Sequence, residues 1–395
     1  MATSSRVVRR FSPAWTLATI RSLGPIWLIA FSGCERSGPD IRIGVVAVLD
    51  GEGAQVAAAQ AGLDGIRLAV EEINGAGGIE VADRRSRLTI VVDTVDDRPA
   101  AAATAVLRLV NQERVVAVVG PNFSRSAVPA AESAERLGVP MIAPGAASHR
   151  VTAAKRFVFR AVYSDHFVGD ALARYLIEQL VANRAAVIYN AADPFGSDVA
   201  SAFQGGFASR GGTMVSAEPY TSDEGNDFRG RLGRIVAAAP DAVFLLSTER
   251  EVVLAQARQA RELGFDAHLI LGGTWRPEEY AGEDALEGAF LISAWHPDLD
   301  HGPSRTFVGV YRAAYGRAPA NTAALSYDAI MMFAEAVRTA GGADSEGIRE
   351  ALARPRTFVG ATGEYGFDGT GDPVRGAVVL RIEEGRPVIQ SHIEP

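Results

Sequence analysis

The chain has 395 residues, of which 48% are hydrophobic and 22% charged, so it is long enough for two folded domains and is not a disordered chain. Its formal net charge is −8, and the first 33 residues carry four arginines and no acid, which leaves 35 basic and 47 acidic residues, or −12, in the remainder. A strongly acidic body argues against nucleic-acid binding.

The N-terminus carries the pattern of an export signal. Three arginines come within the first ten residues, and the apolar run "LGPIWLIAF" later ends in two small residues. This run is too short to cross a bilayer, which takes about 20 residues. We therefore predict a secretory signal peptide over residues 1–33, with a short buried helix as the alternative.

Cys34 is the only cysteine in the chain, so no disulfide can form within it. Its place directly after the apolar run resembles a bacterial lipoprotein signal, although Phe31 stands where an aliphatic residue is usual. The resemblance implies that Cys34 is lipidated and that residues 34–40 form a tether. The alternative is an incidental cysteine beside an ordinary cleavage site.

From residue 41 onward, strand and helix patterns alternate. Continuous Val/Ile runs predict strands covered on both faces, and apolar residues at helical spacing predict the helices between them. Such alternation indicates a parallel, doubly wound sheet. The predicted elements are "IRIGVVAVL", helix 55–74, "LTIVVDTVDD", helix 99–112, "VVAVVGP", helix 128–137 and "VPMIAPGA".

The same rhythm then starts again, which predicts a second unit of similar build. "EGAFLISAW" is interpreted as a return crossing, helix 323–339 rejoins the first half, and a hairpin and a last strand follow. The predicted fold class is therefore α/β, with two doubly wound parallel-sheet lobes joined by a three-strand hinge. The predicted first lobe is 41–160 with 293–366, and the second is 161–292 with 367–395. The elements of the second unit are helix 170–182, "RAAVIYN", the loop "AADPFGSD", a helix ending at 210, "DAVFLLST", helix 251–263 and "HLILGG".

The order of these motifs resembles the type I periplasmic binding proteins. Within that group it is most similar to the branched-chain amino-acid binding proteins of ABC transporters. The resemblance extends from residue 41 to the C-terminus and rests on "IRIGVVAVLDGEG", "VVGPNFSRSAVPAAES", "VIYNAADPFGSD" and "GEYGFDGTGD". It implies capture of a small solute between two lobes by hinge closure.

Two neighbouring loops are the predicted carboxylate site. Ser124 and Ser126 follow one strand, and residues Gly145, Ala146 and Ala147 follow the next. Loops at the carboxyl ends of parallel strands meet at one edge, where helix amides stabilise an anion. The resemblance implies that Ser124 and the 145–147 loop hold the ligand carboxylate. The alternative is that both serines only cap their helix.

Ser148 enters the prediction as a substitute. Ala147 stands where the amino-acid binders of the family often have threonine or serine, and Ser148 is the next residue. If Ser148 does not substitute, one ligand hydrogen bond is missing and the pocket prefers a different head group.

The second lobe is expected to supply a wall and a counter-charge. Phe195 stands where the resemblance often has tyrosine, so an apolar wall is expected there without a hydroxyl. Glu249 is the first candidate for an ammonium partner and Asp193 the second. Thr274 and Trp275 follow the strand "HLILGG" and are expected to contact the ligand, with interlobe packing as the alternative for the tryptophan.

The sequence speaks against an enzyme. A G-x-G-x-x-G fingerprint, a P-loop and a G-x-S-x-G elbow are missing, and the six histidines have no metal-ligand spacing. We therefore expect no cofactor and no metal. A hydrolase or dehydrogenase on the same sheet remains an alternative because fold does not fix function.

The expected ligand is an amino acid or a similar small polar solute, and the expected partner is an ABC permease in the membrane. The protein is expected to be a monomer on the periplasmic or extracellular face, anchored through Cys34. A binder of amides or urea that acts as a sensor is the alternative.

Overall fold

The computed structural model describes residues 38–273 and 277–395. The predicted signal peptide and Cys34, as well as Thr274 and Trp275, lie outside the described residues. Within the described ranges, no helix combines the length and the apolar composition that a membrane crossing requires.

The first lobe is built on a five-stranded sheet whose strands all run parallel, in the order β4-β1-β5-β6-β7. Both faces of this sheet are covered, which is why β1 reads as a nearly continuous apolar run. Helix α9 returns to this lobe and packs on α1. Its strands are β1 (Ile41–Val48), β2 (Ile79–Val81), β3 (Arg84–Ser86), β4 (Leu88–Val95), β5 (Ala117–Val119), β6 (Met141–Ala143), β7 (Val158–Arg160), β13 (Arg356–Gly360), β14 (Gly363–Phe367) and β15 (Pro373–Val374), and its helices are α1 (Ala54–Gly75), α2 (Pro99–Asn111), α3 (Ser124–Leu137), α8 (Gly302–Tyr315), α9 (Asn321–Ala340) and α10 (Ser345–Leu352).

The second lobe is built on a seven-stranded sheet in the order β17-β16-β12-β11-β10-β8-β9. Its five strands from β12 to β9 pair in parallel, whereas β16 and β17 add an antiparallel edge. The strands are β8 (Arg184–Asn190), β9 (Thr213–Tyr220), β10 (Ala242–Leu246), β11 (His268–Leu271), β12 (Phe290–Ser293), β16 (Ala377–Glu383) and β17 (Arg386–Ile393), and the helices are α4 (Asp165–Glu178), α5 (Pro194–Ser209), α6 (Arg229–Ala237) and α7 (Arg250–Glu262). The predicted α/β class with two parallel-sheet lobes is confirmed.

Three helices begin earlier than the sequence pattern predicted. Helix α3 begins at Ser124 rather than at 128, and α4 begins at Asp165 rather than at 170. Helix α5 begins at Pro194, inside a stretch interpreted as a loop. Proline is tolerated in a first helical turn, because its missing N–H would have no partner there anyway. Polar and proline-containing first turns therefore hid these helix starts from a periodicity argument.

Helices α1 and α9 approach so closely that one position requires glycine. A Cβ on Gly65 would lie 2.1 Å from the carbonyl oxygen of Ala323, so any larger residue would push the helices apart. Further along, the Tyr327 hydroxyl donates to Glu72 at 2.7 Å. Helix α9 therefore packs on α1 of the first lobe with the two backbones in close contact at Gly65.

The chain passes between the two sheets three times, and Arg375 joins all three connections. From the third connection, its guanidinium donates to the carbonyl of Ala161 in the first at 2.7 Å and of Ala294 in the second at 2.9 Å. The guanidinium is buried and lies 4.3 Å from the ring centre of Tyr365. One buried cation therefore holds the three hinge segments together. The lobe boundaries given above stay a prediction.

Candidate ligand-binding cleft

The loops at the carboxyl ends of the two sheets enclose a cavity of about 550 Å³. In parallel sheets these loops share one edge, which is where solutes bind in open α/β folds. The first lobe contributes loops after β5 and β6 together with the starts of α1 and α9, and the second contributes loops after β8, β10 and β11. Polar lining residues are Gln55, Asn122, Ser124, Arg125, Asn321 and Thr322 from the first lobe, and Asn190, Asp193, Ser222, Ser247, Thr248, Glu249, Arg250, Glu251 and Glu279 from the second.

Ser124 lines the cavity as the first residue of α3. The cap position before it is Phe123, whose side chain makes no capping hydrogen bond, so the interpretation of Ser124 as the helix cap is wrong. Its hydroxyl oxygen accepts the backbone N–H of Ser148 at 3.1 Å, which leaves the hydroxyl proton available for donation. An acceptor in the cavity therefore meets an O–H donor and the positive end of a helix.

The loop of Gly145 to Ala147 is held from its buried side by Arg160. This fully buried guanidinium donates to the carbonyl of Ala147 at 2.5 Å and, more distantly, to that of Ala146 at 3.4 Å. The carbonyl of Ala147 also accepts the N–H of Asp165 at 2.8 Å. With its carbonyls engaged in the protein interior, the loop offers the cavity backbone N–H groups. Among the described residues, the N–H of Ala147 has no hydrogen-bond partner.

Three of the predicted carboxylate-site residues do not line the cavity. Ser126 is two positions along α3 from Ser124, and two residues turn a helix by about 200°. It is buried, and its hydroxyl has no partner among the residues the structure describes. Ala146 belongs to the loop but is almost completely buried and does not line the cavity. Ser148 donates its hydroxyl to Asp198 at 2.7 Å instead of facing the cavity, so the geometry does not support it as a substitute.

Asp193 brings a carboxylate into the cavity while capping α5. One of its oxygens accepts the N–H of Phe195 at 3.2 Å. Burial raises the pKa of Asp193 above its ordinary value, and the neighbouring Glu249 carboxylate acts in the same direction. The hydrogen bond from Phe195 and the charge of Arg125, from the first lobe, oppose that rise in pKa. A cationic ligand group would find a carboxylate here that lacks a full counter-charge.

Glu249 reaches across the cleft. It precedes α7, its backbone N–H donates to the hydroxyl of Ser247 at 3.1 Å, and its Oε1 accepts from Gln55 Nε2 of the first lobe at 3.1 Å. The side chain is half-buried between the lobes rather than a freely solvated helix-start acid. Glu249 can thus bind a cation, and its hydrogen bond to Gln55 links the two lobes across the cleft.

The remaining wall of the cavity is apolar. Phe195 lines it as the sequence predicted, and Tyr163, Leu172, Phe244 and Ile270 continue the surface. Leu172 and Ile270 are almost completely buried, so a ligand side chain placed against them would leave water entirely. The cavity therefore combines a polar end with an apolar extension.

Three polar atoms in the lining have no hydrogen-bond partner in the described ranges, and two of the residues that carry them, Asn321 and Thr322, were not predicted from the sequence. Gln55 Oε1, Asn321 Oδ1 and Thr322 Oγ1 are buried and make no hydrogen bond within the described part of the chain. A buried polar atom without a partner is costly, so such atoms typically face a ligand or water. Asn321 and Thr322 begin α9, far along the chain from the other cleft loops, and only the fold brings them together.

Comparison with known protein families identifies proteins that are similar to this chain. Residues 40–387 match the model of a family described as periplasmic binding protein. A Leu-, Ile-, Val-, Thr- and Ala-binding protein of Pseudomonas aeruginosa is 28% identical over 87% of this chain and 90% of its own length. The Leu/Ile/Val-binding protein BraC3 of Rhizobium johnstonii is likewise 28% identical, over 90% of this chain and 94% of its own length.

Solved structures give the same likeness. The leucine-binding protein LivK of Thermotoga maritima superposes with a TM-score of 0.81 at 27% identity, over 90% of this chain and 99% of its own. The branched-chain amino-acid binding protein LivJ of Streptococcus pneumoniae, solved with isoleucine, gives 0.80 at 27% identity over 90% and 99%.

Proposed function

The chain belongs to the periplasmic binding protein family, and we propose that it captures a free amino acid outside the cytoplasm for the permease of an ABC transporter. The observation that carries this proposal is how the two lobes divide the polar groups of the cleft. The first lobe offers hydrogen-bond donors near a helix N-terminus, and the second offers carboxylates, of which Asp193 and Glu249 are the candidates for the ammonium. An amino-acid zwitterion carries the two complementary charges.

The carboxylate of the ligand is proposed to bind the first lobe. Ser124 donates its hydroxyl proton, and the N–H of Ala147 and the start of α3 add further positive potential. No cationic side chain is needed, because hydrogen bonds to a charged group are themselves strong.

The ammonium is proposed to bind Asp193 and Glu249 of the second lobe. Both carboxylates line the same cavity, and each is partly desolvated. An ammonium placed between them compensates two negative charges that lie close enough to act on each other. The apolar wall beyond Phe195 then takes an aliphatic side chain, which agrees with the branched-chain ligands named for the relatives.

Capture proceeds by hinge closure. The ligand docks on one lobe, and the closed form is stabilised by contacts that both lobes make through the ligand. The closed form is what the permease recognises. Lipidation of Cys34, a monomeric state and the lobe boundaries at 160/161 and 292/293 belong to the same proposal. The third boundary, predicted at 366/367, is proposed instead near residue 375, because β15 still pairs with β14 of the first lobe. An amide or urea ligand is less favoured, because it lacks the charges that the two halves of the cleft would pair.

Calorimetric titration with matched analogues tests this function. We expect L-leucine to bind, while leucinamide, which lacks the carboxylate, and 4-methylpentanoate, which lacks the ammonium, each bind at least tenfold more weakly. At a ligand concentration one hundred times Kd, leucine should stabilise the fold by about 2.7 kcal/mol. Equal binding of leucinamide, or binding of amides with none of the twenty amino acids, would contradict the zwitterion site.

A further inference from the structure

Two imidazoles and two carboxylates meet outside the cavity lining, where the lobes contact each other. His149 begins the short helix His149–Val151 directly after the ligand loop of the first lobe. Asp165 and His166 begin α4, and Asp198 lies on α5, both in the second lobe. We propose that these four residues bind one divalent transition-metal ion, with Zn²⁺ as the ion to test first.

The spacing of the ligand atoms suits a metal. His149 Nδ1 lies 3.1 Å from Asp165 Oδ2 and 3.6 Å from Asp198 Oδ2. Zinc binds nitrogen and oxygen at about 2.0–2.2 Å, which puts neighbouring ligand atoms of a tetrahedron about 3.3–3.5 Å apart. The two observed distances bracket that edge length. Each of the two carboxylate oxygens therefore lies about as far from His149 Nδ1 as two ligands of one zinc ion lie from each other.

His166 completes the set. Its ring centre lies 5.0 Å from that of His149, and one ligand atom from each of His149, Asp165 and His166 lies within 4.8 Å of the others. His166 is exposed, so its ring can rotate by the small amount that closes the remaining gap. Two imidazoles with two carboxylates form a donor set that favours zinc, nickel or copper over calcium and magnesium.

Both carboxylates are already oriented. Asp165 is completely buried and accepts the backbone N–H groups of His149 at 3.0 Å and His166 at 2.8 Å. Asp198 accepts from the hydroxyl of Ser148 at 2.7 Å and from Arg150 at 2.6 Å. Partners that hold metal ligands in place in this way raise metal affinity.

The ion would replace a proton. In the metal-free protein, His149 Nδ1 lies within hydrogen-bond distance of Asp165. On binding, zinc takes the Nδ1 lone pair and the neutral imidazole carries its proton on Nε2. Arg150 opposes the ion, but it pairs with Oδ1 of Asp198, whereas Oδ2 faces His149. The His149 side chain is 41% exposed, which gives the ion a route from solvent.

Metal binding at this place would act on closure. The ion would tie His149 of the first lobe to Asp198 of the second, and His149 directly follows the loop that contacts the ligand. A ligand that favours the same closed form must then bind more tightly when the metal is present, and the metal more tightly when that ligand is present.

Zinc titration of the purified protein without a histidine tag tests the site. We expect one Zn²⁺ per chain, with at least a tenfold loss of affinity in each of His149→Gln and His166→Gln. His392→Gln is the matched control, because His392 is exposed on the last strand, away from the cluster. Far-ultraviolet circular dichroism identifies any variant that fails to fold, and Asp198→Asn then serves as the second test.

The absence of saturable one-to-one binding below about 100 μM Zn²⁺ would overturn the proposal. Binding that His149→Gln and His166→Gln leave unchanged would also overturn it. A second titration, of leucine with and without zinc, measures the coupling and rests on the proposed function. If no amino acid binds at all, the amino-acid assignment falls, while the zinc titration still decides the metal site.

Discussion

The two lobes share one architecture but face the cleft with different chemistry. Towards the cavity the first lobe presents hydrogen-bond donors, namely the Ser124 hydroxyl, the N–H of Ala147 and the guanidinium of Arg125, and it presents no carboxylate among the lining residues described. The second lobe presents the carboxylates of Asp193 and Glu249. Both sets follow the carboxyl ends of parallel strands, so the fold alone does not determine which charge each lobe receives.

This difference between the lobes implies that binding of a ligand to one lobe and closure of the second lobe over it depend on different groups of the ligand. A solute that carries only a carboxylate is expected to bind the first lobe without stabilising the closed form, because it offers the carboxylates of the second lobe no cation. A solute with both charges stabilises the closed form, because each lobe then holds one end of it. Variants in the two lobes should therefore differ in what they weaken.

The largest effect is expected at Arg160, which supports the first-lobe side of the cleft from below. Its buried guanidinium also pairs with Asp372 at 2.6 Å. Arg160→Met leaves the carbonyl of Ala147 and this carboxylate without their partner, so we expect the free energy of unfolding to fall by about 3 kcal/mol. Urea unfolding of the ligand-free protein measures the loss.

Arg356→Met is the matched control for that variant. Arg356 is also largely buried, donates to the carbonyl of Leu352 at 2.6 Å and lies 4.5 Å from the ring centre of Phe367. Unlike those of Arg160, the carbonyls that it binds belong to residues outside the cavity lining. Both variants should lose stability, and only Arg160→Met should lower amino-acid affinity under conditions where both are folded. Equal affinities would mean that Arg160 does not position the ligand loop.

The next largest effect is expected at Asp193. Asp193→Asn removes the charge while asparagine remains a good cap for α5, so the helix should be preserved. Loss of a partly desolvated partner for an ammonium should cost about 2 kcal/mol or more, roughly a thirtyfold rise in Kd for leucine. Binding of 4-methylpentanoate, which has no ammonium, should change little. A parallel loss for both compounds would assign Asp193 to the fold rather than to the charge.

A smaller effect separates Ser124 from Ser126. Ser124→Ala removes a hydroxyl that lines the cavity, and a hydrogen bond to a carboxylate is worth about 1.5–3 kcal/mol, or more than tenfold in Kd. Ser126→Ala removes a buried hydroxyl that has no described partner and does not line the cavity, so its affinity should stay within about twofold of the parent. Calorimetry measures the affinity of both variants for leucine. A larger loss of affinity in Ser126→Ala would assign the ligand contact to Ser126 instead of Ser124.

The fold was accessible from the sequence because the central strands of the two sheets, such as β5 and β10, are buried on both faces. Runs such as "VVAVVGP" and "DAVFLLST" are apolar without alternation, which only a covered parallel sheet explains. Helices α6, α8 and α10 were not predicted, because their patterns are short or mixed with polar residues. Helix starts at Ser124 and Pro194 were missed for the same reason.

The site was accessible only in part. Ser124, Phe195 and Glu249 line the cavity, and the sequence pointed to them because each follows a recognisable strand and strand ends meet at one edge. Their contacts with a ligand stay a prediction. Side-chain direction was not accessible, which is why Ser126 and Ser148 were included although the first is buried and the second pairs with Asp198. Contacts between distant segments, such as His149 with His166, leave no spacing signal in a single sequence.

The smallest effect concerns pH and again contrasts the lobes. Burial raises the pKa of Asp193 above its ordinary 3.8, whereas an ammonium bound beside it would lower that pKa. As pH falls, the free protein therefore takes up a proton that ligand binding must release, and leucine affinity should begin to fall at a pH above 3.8.

The stability of the ligand-free protein should move in the opposite direction. Because the pKa of this group is higher in the folded than in the unfolded state, its contribution to stability grows as pH falls through the folded-state pKa. Titrations between about pH 7 and pH 4 should give a few-fold rise in Kd for the parent and a flatter profile for Asp193→Asn. An unchanged profile in that variant would show that Asp193 does not carry the pH dependence and would leave it with the role of a helix cap alone.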